Sequence, residues 1–260
     1  MTTLADVEQF RLANVGIAAM AQVDLEDFWG TLNLSFPGES RDSLLAFVPA
    51  ITQKYGNVSA VVAADWYDGL RPANSLITGA FRAPLAAPVA TSAVASTVRF
   101  GAQHLWSAAP TIALSLLSVA VTKYALQPGR DTVAQAVRQD PDRRARYARI
   151  PSGKETCAFC LAMASRGFVY RSEAAAGNTF NRYHGRCDCV PTPEWSDDPR
   201  IEGYDPDGMF AMYQAARAEA GGVIELKGKG TVEADDLSIL QAMRRLYPDQ
   251  LTDGVVVREQ

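Results

Sequence analysis

Apolar positions recur at helical steps through most of the first 150 residues. In SRDSLLAFVPAITQKYG, Leu44, Val48, Ile51 and Tyr55 follow at intervals of four, three and four, the spacing of one helix face. Ser40 or Asp42 offers an N-cap and Gly56 a stop. The following stretch, NVSAVVAADWYDGLRP, places Val58, Val61, Val62 and Trp66 on one face and closes at Gly69 and Pro72. From Thr111 to Leu126, Ile112, Leu116 and Val119, with Leu117, Val121 and Tyr124 alongside, predict a helix with a broad apolar surface that ends before QPGRD. That turn supplies Asp131 as the cap of a further helix, TVAQAVRQDPDRRARYARI.

Between Gly79 and Ala109 the chain is rich in Ala, Ser and Val, which permits close helix packing but specifies little else. Phe100 to Thr122 is uncharged, yet Gln103, His104, Pro110 and several serines interrupt it. Such interruptions are costly in lipid, so the expectation is a helix facing the core or a partner, with no membrane role.

At Pro151 the pattern changes, and long helical periodicity disappears until about Asp207. A short strand is expected at Phe168 to Tyr170, then helices at Gly208 to Ala220 and Asp235 to Tyr247, joined by a flexible GGVIELKGKGT. The predicted fold class is mainly α. A helical region, 1–150, with a core of its own precedes a small α+β Cys/His module of zinc type, 151–206, and a C-terminal helical tail, 207–260.

Composition narrows the function classes. With 48% hydrophobic and 21% charged residues, the 260-residue chain buries a real core. A net charge of −4 argues against a surface built wholly for nucleic acid, so any DNA contact must be local. MTTLADVEQFRLANVG lacks the basic and apolar segments of a secretory signal, which makes a reducing cytoplasm the expected place of synthesis.

Candidate chemistry concentrates after the boundary. All four cysteines and one of the two histidines lie between Cys157 and Cys189. Cys157 and Cys160 form a Cys-x-x-Cys pair, whose two sulfurs can meet one ion. His184, Cys187 and Cys189 offer three candidates for the remaining two positions of a tetrahedral zinc, so four of the five residues suffice. Two disulfides could staple the same segment, though a cytoplasmic origin disfavours them. A thiol nucleophile with His184 as base, aided by Arg182 and Arg186, would use only one of the four clustered cysteines.

Arg143, Arg144, Arg146 and Arg149 precede the module. They read either as a solvated helix face or as a contact for DNA phosphates or an acidic partner. Asp197 with Asp198, and Asp235 with Asp236, sit where caps are expected, while His104 reads as a hydrogen-bonded core residue.

The stretch ARIPSGKETCAFCLAMASRGFVYRSEAAAG, followed by YHGRCDCVPTP, resembles the virion head proteins of tailed actinobacteriophages that are labelled capsid maturation proteases. These are similar in turn to the phage Mu F-like minor head proteins, which tend to have a helical amino-terminal region and a His-Pro-x-Cys-x-Cys segment. His184, Cys187 and Cys189 match that segment, with Gly185 in place of its proline. The resemblance covers about Ala148 to Pro193, and AADWYDGLRP fits the helical half more loosely.

What it implies is a minor head component, made in the host cytoplasm and located in the virion head. Portal, scaffold or major capsid protein, and packaged DNA, would be its partners. Protease activity is implied by the family label alone. No Ser/His/Asp arrangement and no H-E-x-x-H helix is present, so catalytic residues stay unassigned. A capsid maturation protease using Cys/His chemistry, and a DNA-binding zinc module using Arg143 to Arg149, Lys154 and Arg186, are the alternatives to a structural role.

Overall fold

Four long helices build the first half. α1 (Leu4–Gly30) opens on a capping box in which Thr3 and Asp6 satisfy each other's backbone amides. α2 (Pro37–Asn74), α3 (Thr91–Ala102) and α4 (Thr111–Gln139) follow, with a 3-10 turn at Gln103–Trp106. The computed structural model describes the whole chain except residues 78, 153–155, 171–182, 184–186, 188, 222, 227–229, 234 and 255–260. Residues 223–226 and 230–233 are described by backbone alone. No helix among the described residues is long and apolar enough to cross a membrane.

Two expected helix boundaries are corrected. α2 does not stop at Gly56, and QPGRD is not a turn, because α4 runs on through Pro128. The small residues mark a close helix crossing instead. A Cβ at Gly56 would meet Pro128 at 3.1 Å, and the Gly129 amide donates to the Ser59 hydroxyl at 3.1 Å. Glycine here removes bulk where two helices touch. The buried faces shift accordingly. Val58, Val61, Ile112 and Leu116 are exposed, while Ser59, Ala63, Tyr67, Ala113, Leu117 and Val121 face inward.

A third correction concerns the arginine run. α4 ends at Gln139, and Arg146–Ile150 is a strand, β1, paired antiparallel with β2 (Val190–Glu194). Pro191 lies opposite Arg149 and Pro193 opposite Tyr147. Prolines fit because Tyr147 turns its own amide and carbonyl the other way, exchanging hydrogen bonds of 3.0 and 3.2 Å with Tyr170. Tyr170 makes this isolated bridge and no strand forms at Phe168 to Tyr170.

The tail holds α6 (Pro206–Glu219) and α7 (Asp236–Leu246), close to expectation. GGVIELKGKGT is not a linker, since β3 (Val223–Leu226) and β4 (Gly230–Glu233) pair antiparallel within it. Both helices pack on α5 (Ala158–Ala164) through Met163, Ala216, Ile239 and Met243.

One apolar cluster lies wholly in α1 to α4, around Leu25, Leu44, Leu117 and Val121. A second joins Phe10, Tyr67 and Val133 of the helices to Tyr147, Val190 and Trp195 of the sheet region. The helical half and the cysteine segment therefore share packing across Pro151. Buried polar groups reinforce it. Asp140 accepts from Tyr67, Arg71 and Trp195, and the Glu194 carboxylate accepts the Thr2 amide at 2.6 Å.

Candidate metal centre

The β1–β2 ladder, with Ile150 opposite Val190, brings the two halves of the cysteine segment together. Cys157 caps α5, its sulfur accepting the Cys160 amide at 3.3 Å, and Cys160 sits in the first turn of that helix. Cys187 and Cys189 lead into β2, and their i, i+2 spacing suits two side chains on one side of an extended chain.

The sulfurs of Cys160, Cys187 and Cys189 all lie within 4.8 Å of one another, and the Cys160 and Cys187 sulfurs are 3.3 Å apart. A disulfide would require about 2.05 Å, and none joins these cysteines among the described residues. Tetrahedral zinc, with Zn–S near 2.3 Å, sets sulfurs roughly 3.8 Å apart. The cluster therefore fits a soft metal ion without large movement. Cys160 and Cys189 are buried, whereas Cys157 and Cys187 are partly exposed. His184, Lys154, Arg182 and Arg186 lie outside the described residues.

Three residues of this site escaped the motif reading. Arg149, 2% exposed, reaches from β1 to within 3.6 Å of the Cys187 sulfur. Arg130 of α4 donates to the Cys187 carbonyl at 2.8 Å. The buried ring of Tyr183 lies 3.9 Å from the Arg149 guanidinium and 4.1 Å from that of Arg130.

Charge follows this geometry. Hydrogen bonds from the Cys160 and Cys189 thiols hold the Cys187 thiol far below its ordinary range, against burial and with help from Arg130 and Arg149. The Cys160 thiol is driven up by its hydrogen bonds with Cys157, Cys187 and Cys189 and by burial. A metal ion held by these sulfurs would displace their thiol protons.

The arginine run does not form one exposed helix face. Arg143 is exposed, Arg144 pairs with Asp142 at 2.8 Å, and Arg146 donates to the Ser196 and Asp197 carbonyls at 3.0 and 3.3 Å. Only Arg149 meets the cysteines. Asp235 caps α7 through the Ser238 amide, Asp198 pairs with Arg200, and His104 is half-buried in the 3-10 turn.

Residues 1–216 match the family model described as VG15 protein. The chain is similar to the Gene 15 protein of Mycobacterium phage D29, 35% identical over 165 residues that cover 52% of this chain and 60% of that protein. It is also similar to the Gene 15 protein of Mycobacterium phage L5, 28% identical over 121 residues, 32% of this chain and 41% of that protein. It thus spans less than two thirds of either relative. No solved structure matches.

Proposed function

Because the chain belongs to the VG15 protein family, whose matched relatives are phage proteins, we propose that it is a minor head protein of a tailed phage. In this reading it acts in capsid assembly near the portal and carries a metal-stapled module. The observation that carries the proposal is the family match through residue 216, which spans the Cys/His segment resembling Mu F-like head proteins. The buried sulfur trio supports a stapling role, since packed, largely enclosed cysteines suit a structural metal better than a nucleophile needing open access to a peptide.

The module would act as a rigid end to the helical body. Its ligands close one loop, and β1 and β2 tie that loop to α2 and α4 through Tyr147 and Trp195. A surface held this way can seat on a ring of portal or capsid subunits without ordering itself at the moment of contact.

Quantitative mass spectrometry of purified particles tests the reading. A few copies per head are expected, together with failure to fill heads when the gene is interrupted. Absence from both particles and procapsids would overturn it. Capsid or scaffold termini that change only when the protein is present would favour the protease instead. Duplex binding that weakens steeply with salt would favour the DNA-binding alternative.

A further inference from the structure

α1 is apolar on two opposite faces. Val7, Phe10, Ile17, Ala21 and Leu25 are buried, while Leu12, Val15, Met20 and Val23 are each half exposed or more. A helix that is apolar all round is normally enclosed on every side. α4 repeats the arrangement, with Ala113, Leu117 and Val121 inward and Ile112 and Leu116 exposed.

The two exposed stripes adjoin. Gln22 of α1 donates to the Ser118 carbonyl of α4 at 2.7 Å and to the Thr122 hydroxyl at 2.6 Å. Phe10 of α1 shares a cluster with Val133 of α4, and Leu25 shares another with Leu117, so the two helices run antiparallel. On the other flank of α4, α3 borders a groove of about 260 Å³ lined by Phe100, Leu116, Val119 and Lys123. Phe100 is 65% exposed there. Since α2 packs against all three helices, α1, α4 and α3 form one layer over it, with this apolar face outside.

Charge divides the face. α1 carries five carboxylates and one arginine, whereas the chain between Asp68 and Asp131 has no carboxylate at all. The stripes also match in spacing. Val15, Ala19, Val23 and Glu26 follow one another on α1, and Ile112, Leu116, Val119 and Lys123 on α4, each set covering one face of its helix and ending on a charge. Those two charges are opposite in sign, and Glu26 is exposed.

We propose that the outer face of α1, α4 and α3 is a two-fold interface with a second copy of this chain. A two-fold axis beside Gln22 reverses each helix in the partner, so α1 of one copy lies parallel on α4 of the other. Val15 then meets the partner's Ile112, Ala19 the partner's Leu116 and Val23 the partner's Val119, while Glu26 pairs with the partner's Lys123. The partner's Phe100 closes the far side of α1 near Met20. Each contact occurs twice, as two-fold symmetry requires. Stripes about 17 Å long on axes about 9 Å apart give a face on the order of 20 Å by 25 Å, at the small end of specific interfaces. The dimer is therefore reversible. It depends neither on a head role nor on a metal.

Sedimentation equilibrium of the full chain from about 1 to 100 μM should show the mass rising from 28.1 kDa to twice that value. Glu26→Lys and Lys123→Glu each set like charges against one another at both pairs, and should weaken dimerisation about 10–100-fold. An equimolar mixture of the two variants should regain the parent affinity, because both pairs of the mixed dimer are again opposite in sign. A monomer across the whole range, assemblies larger than a dimer, unchanged affinity in both single variants, or no recovery in the mixture would each overturn the proposal. Should either variant fail to fold, the mass of the unaltered chain against that of Ala19→Glu, which puts a charge into the exposed stripe, still decides.

Discussion

Gly129 of α4 donates its amide to the Ser59 hydroxyl of α2 at 3.1 Å, and a methyl group at position 129 would lie 2.8 Å from the Ser59 carbonyl oxygen. Backbone cannot step aside as a side chain can. Gly129→Ala is therefore expected to destabilise the protein by about 1–3 kcal/mol, despite alanine's better helix propensity. Gly16→Ala, where the added carbon meets nothing, should stabilise by about 0.5–1 kcal/mol. Thermal or urea unfolding of the two variants checks the opposite signs, and a stabilised Gly129→Ala would contradict the crossing.

Asp140 is the acceptor at the centre of a buried network. It receives the Tyr67 hydroxyl at 2.8 Å, Arg71 Nε at 2.9 Å and Trp195 Nε1 at 3.1 Å, while the Asp142 amide reaches it at 2.8 Å. Asp140→Ala leaves the Arg71 guanidinium buried without its counter-charge, a loss expected at about 3–5 kcal/mol. Asp140→Asn keeps part of the hydrogen bonding and should lose less. Urea titration read by Trp fluorescence measures both.

Acid should act through Asp142. Burial pushes its carboxyl up, but the Arg144 side chain and amide, the Ser75 hydroxyl and the Leu76 amide outweigh that and hold it below the ordinary carboxylate range. A carboxyl depressed on folding contributes stability that is present above the unfolded value of about 3.9 and is lost as pH falls below it. Unfolding followed from pH 6 down to pH 2 should therefore show a steeper acid limb in the parent protein than in Asp142→Asn. Parallel limbs would rule out this contribution.

Removing metal should not loosen the cysteine segment alone. Tyr147, Val190 and Trp195 share a cluster with Phe10, Tyr67 and Val133, whereas Leu25, Leu44 and Leu117 pack elsewhere. Chelation, or Cys160→Ser, should lower hydrogen-exchange protection near Tyr67 and Val133 more than near Leu44 and Leu117. Uniform retention of protection in all four helices would show the two regions to be independent.

Helical character and the cysteine pairs were legible because each is local. Periodicity marks a helix, and a Cys-x-x-Cys pair marks a knuckle, without reference to distant chain. Gly56, Pro128 and Gly129 misled because the same residues serve as turn formers and as contact points between helices, and only the partner helix distinguishes the two uses. Arg130 and Arg149 escaped for a related reason. Both stand outside the cysteine motif, and it is α4 and the β1–β2 register that bring them to it. A signal for Arg149 was present in RYARI, whose aromatic and β-branched residues favour a strand over the helix expected there.

The ladder between Ile150 and Val190 has a consequence for how a metal would be acquired. Cys160 and Cys187 stand 27 positions apart along the chain, and in an open coil most of the entropy of joining them is spent on bringing the ends of that loop together. Once β1 and β2 have paired, the ends are already neighbours, so an ion completes a loop that the sheet has closed. Strand pairing and metal capture then reinforce each other. A substitution in β1 or β2 that weakens the ladder, such as one at Ala148 or Thr192 where the strands face each other, would lower metal affinity without altering a single sulfur.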